Sequence, residues 1–118
     1  MMMHQNPALA YRAARAAMPP RVQEADVFRR VTGALRAAQG TGPEVGLRAI
    51  RALADNRRLW LAVEGVLLDP NNALPPALRA SIISVGRTVL REMEREKPDL
   101  GFLIEVNENI AAGLTTGG

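Results

Sequence analysis

Three polar residues sit on the apolar side of one long helical pattern. They are Asn56, Arg57 and Glu64, in the stretch 55–68 that reads DNRRLWLAVEGVLL and holds the only Trp. At about 100° per residue, Ala49, Ile50, Leu53, Trp60, Leu61, Val63, Leu67 and Leu68 share one helix side, and these three share it with them. Asp55, Arg58, Arg48 and Arg51 fall on the other side. Polar groups buried without partners cost on the order of 1–3 kcal/mol each, and charges cost more. Two arrangements satisfy them. One is an internal network, in which Asn56 and Arg57 bond loop carbonyls or a facing helix. The other is a face partly open to another protein, where Trp and Arg are common anchors. The first is purely structural; the second is recognition of a partner.

Groups that break bonds are scarce. His4 is the only His and there is no Cys, so a transition-metal site or a serine triad has a single imidazole to draw on. No phosphate-cradling GxxxxGK[ST] loop occurs. Glu92, Glu94 and Glu96 alternate with Met and Arg and read as a solvated helix end, not a catalytic carboxylate pair. The expectation is a protein that is not an enzyme and needs no cofactor or metal.

The elements that must hold these residues read as helices throughout. Asn6-Pro7 fits a helix start, and Ala8 to Met18 is Ala- and Arg-rich with few large apolar groups, so residues 1–19 either dock weakly or wait for a partner. Pro19-Pro20 interrupts the chain, and a second helix is expected from Pro20 to Gln39, with Ala25, Phe28, Val31, Leu35 and Ala38 as its stripe and Gly40 as its cap. Thr41 and Glu44 fit a capping box for a third helix ending near Leu68. Asp69-Pro70-Asn71-Asn72 reads as a turn. A fourth helix, Pro76 to Lys97, carries Leu78, Ile82, Ile83, Val85, Val89, Leu90 and Met93 and is expected to be the most buried; Gly86 on that face would allow a neighbour to approach closely. Asp99 is the expected N-cap of a last helix with Leu103, Val106, Ile110 and Leu114 on one side and Asn107 among them; residues 115–118 should fray. No stretch alternates as a strand does. The expectation is an all-α, single-domain bundle of about five helices over 1–118, with the last three forming the core.

Length supports one domain. No apolar run is long enough to span a membrane, and Met1 to Asn6 lacks the order of a secretory signal, so a cytoplasmic place is expected. Charge is uneven. Residues 1–59 hold 10 Arg against 4 acids, and the rest of the chain holds 5 basic against 8 acidic residues. An Arg-rich half could contact phosphates, with Arg29, Arg30 and Arg36 the candidates, although solvated helix faces are the simpler reading. The aromatics Tyr11, Phe28, Trp60 and Phe102 are spread over four segments, which makes no base-stacking platform.

Several segments together resemble the FlaF family of flagellar biosynthesis proteins of alphaproteobacteria. They are Asn6 to Tyr11 (NPALAY), Asp55 to Trp60 (DNRRLW), Leu74 to Arg79 (LPPALR) with Ile82 to Val89 behind it, and Leu103 to Leu114 (LIEVNENIAAGL). The resemblance implies a small cytoplasmic flagellin-binding secretion chaperone and regulator of flagellum biosynthesis, coupled to FlbT, which holds back flagellin mRNA translation. It implies no enzyme activity. The partners implied are flagellin and FlbT; a post-transcriptional role through FlbT, or directly on flagellin mRNA, is the alternative. Flagellin's terminal segments are amphipathic helices, disordered before assembly, and a helical groove could cover one. The candidate partner-binding residues are Asn56, Arg57, Trp60, Leu61, Glu64 and Asn107, with the groove around Trp60, Leu61 and Glu64 and Arg57 facing an acidic or carbonyl group.

Overall fold

A computed structural model of the chain describes residues 20–116, with side chains over 25–113. Four helices run in order: α1 (Pro20–Ala37), α2 (Val45–Leu68), α3 (Pro76–Met93) and α4 (Leu100–Thr116). No strand occurs among the described residues, and the architecture is the all-α bundle expected. The helix read over Ala8 to Met18 lies outside the described residues, as do residues 117 and 118.

Each boundary has a local cause. α1 is followed by Gln39 and Gly40, whose N–H groups reach back to Arg36 and Ala37 carbonyls. The capping box read at Thr41 does not form. Gly42 takes a φ of 119°, which no helical residue can hold, so α2 starts later, at Val45, with Glu44 in the capping position and no side-chain cap. Glu44 instead pairs with Arg48 one turn on, at 3.7 Å. The turn after α2 is as read: Asn71 N–H bonds Asp69 Oδ1 at 2.8 Å, Leu74 N–H bonds Asn72 Oδ1 at 3.0 Å, and the Asn72 amide donates to the Val66 carbonyl. α3 opens on Pro76, where the missing N–H costs nothing. It ends at Met93 rather than Lys97. Asp99 caps α4 as expected, its Oδ1 accepting the Phe102 N–H at 3.0 Å, while Glu92 Oε2 accepts the Asp99 N–H at 2.8 Å and ties the end of α3 to the start of α4.

The core is wider than the last three helices. α1 packs most extensively on α4 and also on α2, while α3 lies on α2. Ala25, Phe28, Leu35 and Ala38 are all buried. Thr32 is buried with them because its hydroxyl bonds the Phe28 carbonyl one turn back, so no donor is left unmet. α3 is not the most buried helix. With one main neighbour it buries only Gly86, Val89 and Met93, and Leu78 and Val85 face solvent.

Candidate functional site

α2 is the longest described helix, and its wide apolar side is divided in two. One row, Ala52, Asn56, Trp60 and Leu67, is buried. The adjoining row, Leu47, Ile50, Ala54, Arg57, Leu61, Glu64 and Leu68, is open or half-open, with exposures of 49% for Leu47, 68% for Ile50, 49% for Leu61 and 58% for Leu68. Spacing along this second row alternates three and four residues, which keeps it on one arc of about 100° and makes it a continuous seam. The seam turns away from the buried row because the other three helices together cover only one side of α2.

The buried row holds the polar chemistry. Trp60 is 1% exposed. Its indole N–H donates to Asn107 Oδ1 of α4 at 2.9 Å. Asn107 Nδ2 donates to Asn56 Oδ1 at 2.8 Å, and Asn56 Nδ2 donates to Met93 Sδ of α3 at 3.3 Å. The relay runs α2 to α4, back to α2, then to α3, and among the described residues no buried side-chain nitrogen or oxygen lacks a partner. Phe28 of α1 meets the indole edge-to-face at a centroid distance of 5.7 Å. Gly86 of α3 lies so close that a Cβ there would stand 3.1 Å from Trp60 Cε3. One side chain therefore touches all three other helices.

The six candidate residues accordingly separate into two groups of three. Asn56, Trp60 and Asn107 lie in the interior, where they hydrogen-bond one another and Met93. A partner could touch them only after the helices part. The expected groove beside the indole is filled by Phe28 and Gly86. Arg57 and Glu64 are half-buried and Leu61 is exposed, all on the seam. Among the described residues, neither the Arg57 nor the Glu64 side chain has a hydrogen bond or ion pair. Leu47, which the helix pattern left off the apolar side, opens the seam; its three-residue step to Ile50 was the signal available.

Of the basic residues proposed for phosphate, Arg29 and Arg36 line one cleft and Arg30 does not. Arg36 pairs with Glu108 of α4, while Arg29 and Arg30 stand exposed on α1. The Arg36–Glu108 pair lines this shallow cleft between α1 and α4, of about 340 Å³, together with Arg29, Thr32, Ala111 and Ala112. Among the described residues no cluster of three or more His, Cys, Asp or Glu is placed to hold a metal, and no described helix is long and apolar enough to cross a membrane.

Fold and site together define a small all-α protein with a hydrogen-bonded tryptophan at its centre and an apolar seam on its longest helix. The chain belongs to the FlaF family: the family model described as flagellar protein FlaF matches residues 8–114, nearly the whole chain. This is a family of flagellar proteins, not of enzymes. Comparison with curated proteins and with solved structures gave no match.

Proposed function

We propose that this flagellar protein is a cytoplasmic flagellin-binding secretion chaperone that also regulates flagellum biosynthesis, acting by protein–protein contact. The observation that carries the reading is the seam on α2. It is a row of large apolar side chains left in water, interrupted by one cation and one anion with no partner among the described residues. Such a row suits the apolar face of an amphipathic helix, laid along it as in other helix-recognition modes. Arg57, Leu61 and Glu64 are the residues that would meet the client. A client ordered only on binding gives up conformational entropy, which keeps the complex releasable for export. FlbT is the second proposed partner, through which any effect on flagellin mRNA would pass.

The test is co-elution of the purified chain with unassembled flagellin on a sizing column, repeated with Leu61→Asp. The expected result is a complex with the parent chain and none with the variant, both melting at similar temperatures. Co-elution unaffected by Leu61→Asp would move the client to another surface, and no complex at all would remove the chaperone reading. A gel shift with flagellin leader RNA at physiological salt addresses the alternative; no shift is expected, because the cleft that Arg29 and Arg36 line already holds Glu108, which pairs with Arg36.

A further inference from the structure

The charge order along the α2 seam goes beyond client binding. Arg57 and Glu64 lie seven residues apart on one row with Leu61 between them. A seven-residue step is two helical turns, so both project to the same side. We propose that the seam pairs with the α2 seam of a second copy of this chain, antiparallel about a two-fold axis near Leu61.

The argument is geometric. A two-fold axis makes the contact self-complementary: whatever residue i meets, the reciprocal contact recurs. With the axis at Leu61, Leu61 meets its own copy, Ala54 meets Leu68, and Arg57 comes against Glu64 of the other copy, twice. Both charges, without a partner among the described residues, then gain one in a single operation, and the solvent-exposed apolar residues between them are covered. A parallel pairing would cover the apolar residues too but would leave the charges unmatched, since it sets Arg57 against Arg57 and Glu64 against Glu64. The small side chain of Ala54 between larger neighbours lets the backbones approach. Overlap from Ala54 to Leu68 spans about four turns, roughly 22 Å of helix. That is the low end for a specific interface, so the pair should be weak and concentration-dependent.

Charge reversal tests this in solution. Sedimentation equilibrium of the full chain over a broad concentration range should show a monomer–dimer equilibrium. Arg57→Glu alone, or Glu64→Arg alone, turns both cross-pairs into like-charge contacts and should weaken dimerisation roughly tenfold or more. The double variant R57E/E64R should restore it. Mixing the two single variants should give a heterodimer stronger than either homodimer. Circular dichroism and melting temperature, unchanged across the set, show that folding is intact. A chain that stays monomeric throughout overturns the pairing, whatever then covers the seam, the first nineteen residues of the same chain included. So does a dimer indifferent to the single reversals. Flagellin binding by a chain that never dimerises would leave the proposed function standing without this inference, and a charge-dependent dimer that ignores flagellin would do the reverse.

Discussion

The Trp60 indole N–H and the Asn107 side-chain oxygen stand 2.9 Å apart, joining α2 to α4 across 47 residues of chain. Asn107 answers on its other side by donating to Asn56, so one amide satisfies two groups of α2 at once. Replacing Asn107 by Leu strands the indole donor and the Asn56 acceptor in the interior. The expected loss is about 2–4 kcal/mol, read by chemical denaturation. Because Asn56 and Asn107 share one network, Asn56→Leu combined with Asn107→Leu should cost clearly less than the two single losses added. Strict additivity would show that the amides do not act together.

Gly86 and Gly33 should respond to alanine in opposite directions. A Cβ at Gly86 would lie 3.1 Å and 3.4 Å from two atoms of the Trp60 ring. That ring is held by Phe28 and by its bond to Asn107, so it has little room to withdraw. Gly86→Ala should destabilise by about 1–3 kcal/mol despite the better helix former. At Gly33, mid-helix and exposed, nothing lies within 4 Å. Gly33→Ala should therefore stabilise by about 0.5–1 kcal/mol. Thermal melts of the two variants beside the parent check the sign of each.

Trp60 should report folding rather than partner contact. Its emission is expected to be blue-shifted and protected from acrylamide, since the ring is 1% exposed. Trp60→Ala should cost about 3–5 kcal/mol. Leu61→Asp, Arg57→Ala and Glu64→Ala, on the open row, should each stay within about 0.5 kcal/mol of the parent. A quenchable tryptophan, or a seam substitution that unfolds the chain, would contradict the division of α2 into a buried and an open row.

The junction between α3 and α4 depends on two carboxylates. Asp99→Ala removes the acceptor for the Phe102 N–H and should cost about 1 kcal/mol, as lost caps commonly do. Glu92→Gln keeps an acceptor for the Asp99 N–H but gives up the charge facing Arg95. It should cost less than Asp99→Ala, the Arg95 end of that pair being exposed and screened by water. Urea denaturation of both variants gives the comparison.

Much of this was legible in the residue order. Pro76, Asp99 and the Asp69–Asn72 turn act locally, through missing N–H groups and short side-chain hydrogen bonds, so they could be placed without knowing any neighbour. Gly86 stood out as a site of close approach for the same reason, although which ring approaches it was not visible. The capping box at Thr41 misled because its residues have the right spacing but Gly42 adopts a backbone angle outside the helix. The expected burial of α3 misled because an apolar stripe states what could be covered, while coverage depends on how many neighbours arrive.

By itself the sequence determined four described helices, the side of α2 that is apolar, and the presence of Asn56, Arg57 and Glu64 on that side. Helical periodicity is a property of neighbouring residues, and it needs no fold to be read. Only the tertiary structure decided that Asn56 and Trp60 turn inward to Asn107 while Arg57, Leu61 and Glu64 remain at the surface. The side chains that complete the relay come from helices up to 51 residues away. Their hydrogen bonds exist only once packing brings the helices together, and packing covers one row of α2 and leaves the next in water.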